Sequence, residues 1–262
     1  MAKYNVHGGH NPANKIACGA ADLLDESIED RLVCKSVIKY LKAAGHTAYN
    51  CTVNNGTGQR DVLQKICAKC NAHNVTLDVS IHFNSGRNKH KSNGKPGGFE
   101  IWATNYTEIK KEASKRIIAN LKKLGMNTHG DPYKTTSNLY YLNHTNAKAI
   151  LIEVEFVDDV DSKNVYKKIG YDKIGKAIAE GIIGKSIDSK KVTVKPKAKS
   201  AFKSYKVKVT ASALNVRKSP STTAAIARDA YKKGTTVTIK AVKNGWGKTK
   251  DGWIKLSYTK KC

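Results

Sequence analysis

The chain has 262 residues and carries 47 Lys and Arg against 21 Asp and Glu, a formal net charge of +26. That length leaves room for one sizeable domain and a small one. The charge turns the search for partners to polyanions: nucleic acid, acidic membrane, or the anionic polymers of a Gram-positive wall.

An alternating segment over residues 4–6 breaks at Gly8-Gly9, which predicts a strand ended by a tight turn. The segment preceding it has no apolar stretch and no small-residue cleavage site, so synthesis in the cytoplasm without a signal peptide is expected. No apolar run approaches bilayer-spanning length, so no membrane insertion is expected. Over 25–44, Ile28, Leu32, Val33, Val37, Ile38 and Leu41 recur at helical spacing, and Gly45 sits where a helix stops. A second strand is predicted over 47–53, a helix over 59–73, a buried strand over 76–83 and a fourth strand over 98–103. A helix over 109–124, a very apolar strand over 149–156 and a closing helix over 171–183 complete the series. This alternation predicts an α/β fold: a mostly parallel open sheet flanked by helices.

Near Ile187 the composition changes to Lys, Ser and Pro, the mark of a linker extended by self-repulsion. From 188 to 262 there are 20 Lys and Arg against 3 Asp, a net +17, while residues 1–187 hold only +9. Short alternating runs over 206–209, 235–241 and 253–256, separated by Gly and Asn turns, predict a second, small all-β barrel. The expected division is therefore a domain over 1–187, a basic linker over 188–204 and a β domain over 205–262. The six cysteines are scattered and are expected to be reduced structural thiols, Cys67 and Cys70 included, since no second pair completes a zinc knuckle.

The chemistry is carried by polar residues at predicted strand ends. His10 follows the Gly8-Gly9 turn, Glu26 opens the first helix, and His82 and Glu153 are embedded in apolar strands. In an open parallel sheet such positions converge on one crevice. Two imidazoles and a carboxylate form the ligand set of a catalytic zinc, and a further carboxylate can take the proton of its water.

These residues resemble the zinc-dependent N-acetylmuramoyl-L-alanine amidases of bacterial autolysins and phage endolysins, over roughly residues 3–187. The resemblance is carried by Val6-His7-Gly8-Gly9-His10-Asn11, Leu24-Asp25-Glu26, Ser80-Ile81-His82-Phe83-Asn84-Ser85 and Ala149-Ile150-Leu151-Ile152-Glu153. It implies His10, Glu26 and His82 as ligands of Zn2+ and Glu153 as catalytic acid and base. The implied reaction is hydrolysis of the bond between N-acetylmuramic acid and L-alanine in peptidoglycan. Three departures stand out: His7 precedes the Gly-His pair and competes with His10, Glu155 competes with Glu153, and an Arg common in the second helix of relatives has no counterpart near Lys65 and Ile66.

The tail, over about 205–262, is similar to a bacterial SH3-type wall-binding domain through Leu214-Asn215-Val216-Arg217-Lys218-Ser219-Pro220, Lys233-Gly234-Thr235, Asn244-Gly245-Trp246 and Gly252-Trp253-Ile254. It implies anionic wall polymers or peptide stems as partners, with Trp253 in the core and Trp246 at a groove. Together the two resemblances predict an endolysin of a phage or prophage, released by a holin to act at a Gram-positive wall. A zinc endopeptidase cutting cross-links, or a non-catalytic wall- or nucleic-acid-binding protein, are the alternatives. Each residue also has a plainer reading, as a bonded core histidine for His82 or a helix-dipole partner for Glu26. A Glu within Ile-Leu-Ile-Glu resists that reading, because burying it without a partner or ligand is costly.

Overall fold

Strand alternation in β1 (Lys3–Gly8) sends Tyr4 and Val6 to one face and Asn5 and His7 to the other, and β3 (Leu77–Asn84) and β6 (Ala149–Phe156) repeat the division. In the computed structural model, which describes residues 1–188, 202, 204–243 and 245–262, these strands form the middle of a six-stranded sheet. Its order is β2-β1-β3-β6-β4-β5, with β2 at Thr47–Asn50, β4 at Phe99–Ala103 and β5 at Thr128–Thr135. The sheet is mostly parallel, as expected; β4 and β5, parallel to each other, run opposite to the other four strands, with the reversal at the β4–β6 pair. The segment leading from β3 to β4 is a loop without a helix, so no βαβ crossover forces β4 into the common direction.

Helices α1 (Glu26–Ala43), α3 (Glu108–Lys123) and α6 (Tyr171–Ile183) cover one face, where Val6, Val79, Ile81, Ile150, Ile152 and Val154 are fully buried. Asp25 caps α1 by accepting a bond from the Ile28 amide at 3.2 Å, and Gly45 ends it at φ +84°. The other face is covered by α2 (Gln59–Asn71) and the short α4 (Tyr140–His144), through Ile66, Cys70, Tyr141 and Leu151. All six cysteines are free, and Cys67 and Cys70 lie in this apolar layer. α4, α5 (Val160–Ile169) and β5 have no counterpart among the predicted elements. No helix of the described residues is long and apolar enough to cross a membrane.

The chain divides into two compact units, Met1–Thr193 and Val194–Cys262. Most of the expected linker lies outside the described residues. The second unit is all-β. A three-stranded sheet places β7 (Tyr205–Val209) between β10 (Thr236–Ile239) and β14 (Thr259–Lys261). A five-stranded sheet runs β11 (Ala241–Lys243), β12 (Trp246–Lys248), β13 (Trp253–Lys255), β8 (Ala213–Arg217), β9 (Ile226–Lys232). Val207, Val209, Leu214, Val216, Ile239 and Ile254 form its core. Trp253, expected inside, is half-buried beneath Lys248, whereas Trp246 is buried and borders a cavity of about 240 Å³ with Asn215 and Tyr258.

Candidate metal centre

The site is assembled where β1 and β3 end. After Gly8 the chain turns over β3, with the Gly9 amide donating to the Ile81 carbonyl at 3.2 Å. A Cβ on Gly9 would lie 1.9 Å from the His82 ring, so only glycine lets the turn cross there. His10 follows, and a second loop closes over it through Gly19, at φ +80°, where a Cβ would meet Glu26 Oε2 at 2.5 Å and His10 at 2.7 Å.

Because Asp25 caps α1, Glu26 is free to turn inward, and it is 4 % exposed. Its Oε1 lies 3.0 Å from His82 Nδ1 and 3.1 Å from His10 Nε2, and accepts the Phe83 amide at 3.1 Å; Oε2 accepts the Ala20 amide at 2.9 Å. One candidate ligand atom from each of His10, Glu26 and His82 lies within 4.8 Å of the others, the only such group of three or more among the described residues. This set suits a divalent metal. Bonds of 2.0–2.1 Å in tetrahedral geometry separate neighbouring ligand atoms by about 3.3 Å, close to the spacing that Glu26 Oε1 keeps from both rings. The three side chains are therefore gathered by their own backbone hydrogen bonds and packing, before any cation is considered.

Electrostatics agree with a site built around a negative charge. Burial works to raise the Glu26 carboxyl, but hydrogen bonds from His10 and His82 outweigh it and hold the group well below the usual range. Burial opposes charging of the His10 ring, yet its bond to Glu26 prevails and raises it. His82 is lowered, since burial there outweighs the pull of Glu26.

Glu153 stands beside His82 on the neighbouring strand, and Glu100 stands beside Glu153 on the next. Glu153 Oε2 is buried with no hydrogen-bond partner. Burial, reinforced by the charges of Glu26 and Glu100, pushes this carboxyl well above the ordinary carboxylate range. The rival Glu155 is fully buried in a different setting, accepting the Gly98 amide at 3.0 Å, and burial pushes it up to about 7. The rival His7 packs edge-on against Tyr141, 4.6 Å between ring centres, and burial lowers it to about 3. Neither belongs to the cluster of three.

Three residues at the site escaped the sequence analysis. Arg31 donates from its guanidinium to the carbonyls of His10, of Val53 at 2.9 Å and of Ser27 at 2.8 Å, tying the Gly-His turn to α1. Asp30 accepts the His10 amide and lies so close beneath Gly8 that a Cβ there would sit 2.6 Å from its Oδ1. Glu100 is bonded by Asn84 Nδ2 and Trp102 Nε1, each at 2.9 Å. An acid and a cation in the second turn of a helix carry no motif; for Glu100, the run Phe99-Glu100-Ile101 offered the same buried-acid signal as Glu153.

A family profile described as N-acetylmuramoyl-L-alanine amidase matches residues 6–184. Two uncharacterised proteins of Clostridium perfringens are 35% and 34% identical over 195 and 203 residues, in each case 71% of this chain and 53% of the relative. The chain thus spans about half the length of the curated relatives it matches. Among solved structures, the catalytic domain of the CD27L endolysin targeting Clostridia difficile is similar at a TM-score of 0.62 and 22% identity, covering 72% of this chain and all of that one. The Clostridioides difficile CwlD amidase, solved with the GerS lipoprotein, is similar at 0.58 and 18%, covering 70% of this chain and 98% of that one. At such identities the structures speak for the fold; the match over residues 6–184 decides the family, and by it this chain belongs to the N-acetylmuramoyl-L-alanine amidases.

Proposed function

We propose that the first unit hydrolyses the amide bond between N-acetylmuramic acid and L-alanine in peptidoglycan, with His10, Glu26 and His82 holding Zn2+ and Glu153 moving the proton. The observation that carries this reading is the unpartnered Glu153 carboxyl beside a His–Glu–His cluster. When bound, zinc would polarise the scissile carbonyl and bring the pKa of its water to about 7.

The chain's own residues supply the rest. Glu26 contributes the negative charge that draws a cation between the two rings. Gly9 and the Arg31 clamp fix where His10 and His82 stand. Glu153 acts as its carboxylate, whose proton affinity burial raises: it accepts a proton from the attacking water and returns it to the leaving L-alanine amine. Glu155, whose Oε2 accepts the Gly98 amide and which does not stand opposite His82, takes no part in this scheme.

The second unit, in this reading, is an SH3-type module that holds the enzyme on the wall through anionic polymers or peptide stems. Its support is the localised charge of +17 over residues 188–262. The setting proposed is lysis of a Gram-positive host by a phage or prophage enzyme synthesised in the cytoplasm and released by a holin. Digestion of isolated sacculi followed by mass spectrometry tests the chemistry. New L-alanine amino termini are the expected product; free sugar reducing ends, or cleaved cross-links with the muramoyl bond intact, would overturn it.

A further inference from the structure

Within the second unit, β9 and β10 are consecutive strands joined by a tight turn at Gly234, φ +85°, yet they belong to different sheets. β9 is bonded along one side only, to β8, and β10 along one side only, to β7. Between these two free edges lies a cavity of about 830 Å³, bordered on one wall by residues 228–232 and on the other by residues 235–238. A groove walled by two unpaired strand edges presents main-chain amides and carbonyls, the complement of an extended peptide.

The direction of the β10 amides follows from the pairing. The Val209 amide donates to the Thr235 carbonyl at 2.9 Å, and Val207 lies opposite Val237. In an antiparallel ladder bonded pairs alternate, so Val207–Val237 is bonded across the pair and the amides of Thr236 and Thr238 point away from β7. Val237 and Ile239 meanwhile pack with the core, which leaves both threonine side chains on the outer surface.

The groove's charge selects among peptides. Arg228, Lys232, Lys240 and Lys250 border it against Asp229 and Asp251. Asp251 is already engaged, accepting the Tyr231 hydroxyl at 2.5 Å and facing Arg228 at 3.3 Å. Lys232 and Lys240 are exposed and, among the described residues, have no acidic partner. Positive charge at both walls and backbone bonding capacity between them fit an extended peptide bearing carboxylates.

We propose that the β9–β10 groove binds a carboxylate-bearing peptide in extended form, of the kind that the stem of peptidoglycan supplies, by adding it between the two strand edges. This rests on the reading of the second unit as a wall-binding module and names the ligand class and the residues. It also gives the Lys-rich surface a second role, since the lysines then read carboxylates held in register rather than diffuse negative charge.

The test is fluorescence anisotropy of the full chain with a labelled L-Ala-γ-D-Glu-L-Lys-D-Ala-D-Ala probe. Methylating the probe's backbone nitrogens should weaken binding at least tenfold with its charge unchanged, and so should the Lys232→Glu/Lys240→Glu double variant. Inorganic polyphosphate at equal charge should fail to displace the probe. Absence of binding, an N-methylated probe bound within twofold of the parent, or complete displacement by polyphosphate would each overturn the proposal. The N-methylated probe tests unaltered protein, so misfolding of the variant cannot decide the result. Hydrolysis of sacculi by the same preparation is scored separately, which distinguishes failure of this groove from failure of the amidase reading.

Discussion

The two faces of the six-stranded sheet are made by the same alternation of residues and do opposite work. On one face Val6, Val79, Ile81, Ile150, Ile152 and Val154 are packed beneath α1, α3 and α6 without a polar atom among their side chains. On the other, β1, β3 and β6 present Asn5, His7, Asp78, Ser80, His82 and Glu153, and unpartnered polar atoms are buried on Asn5, His7, Asp78 and Glu153. Burying such atoms costs stability unless they are bonded or liganded. The comparison teaches that the apolar face carries the cost of the polar one: the first holds the strands in register, and that register sets His82 beside Glu153.

Substitutions that strike one face should therefore leave the other's property readable. The largest effect is expected from His82→Ala, which removes one of the two imidazoles facing Glu26. Bound metal, measured by elemental analysis of the purified protein, should be lost together with hydrolysis of sacculi. Glu153→Gln keeps the shape and removes the proton acceptor. Turnover should fall by roughly 10²–10⁴-fold while metal content stays at the wild-type level, a split that a purely structural Glu153 would not produce. On the opposite face, Ile152→Ala should lower unfolding stability by about 2–5 kcal/mol in urea titrations, with metal content per folded molecule unchanged.

A smaller effect separates the two carboxylates of β6 itself. Glu155 is held at about 7, above its ordinary 4.5, so the folded state binds its proton more tightly than the unfolded chain does. Its stabilising contribution is complete below about pH 4.5 and is lost as pH rises through 7. That corresponds to about 3 kcal/mol between pH 4.5 and pH 8, and Glu155→Gln should remove it from the pH dependence of the urea midpoint. The same variant should retain hydrolysis; a collapse of turnover would transfer the proton-moving role from Glu153 to Glu155.

Much of this architecture was legible in the sequence where one physical signal dominated. The helical stripe ending at Gly45 located α1, and the closing helix matches its predicted bounds at Tyr171–Ile183. β5 escaped because Thr128–Thr135 contains Gly130, Asp131 and Pro132 and sits at the sheet edge, where little of it is buried. The short α4 offers barely one turn of periodicity. At the site, the candidates His10, Glu26, His82 and Glu153 could be read from their order along the chain. That His10, Glu26 and His82 form one cluster, with Glu153 opposite His82 on the next strand, depends on cross-strand register, which the order of residues along the chain does not give. Arg31 and Asp30 act on the backbone of a turn far from them in sequence, a relation that spacing does not encode.

The claim on which the rest depends is that His10, Glu26 and His82 together hold a catalytic metal, and a chelation and reconstitution series tests it most directly. Dialysis against a chelator should remove one metal ion per chain and stop the release of L-alanine amino termini from sacculi, and one equivalent of Zn2+ should restore both. Full hydrolysis by metal-free protein, or an unchanged metal content in the His82→Ala variant, would contradict it.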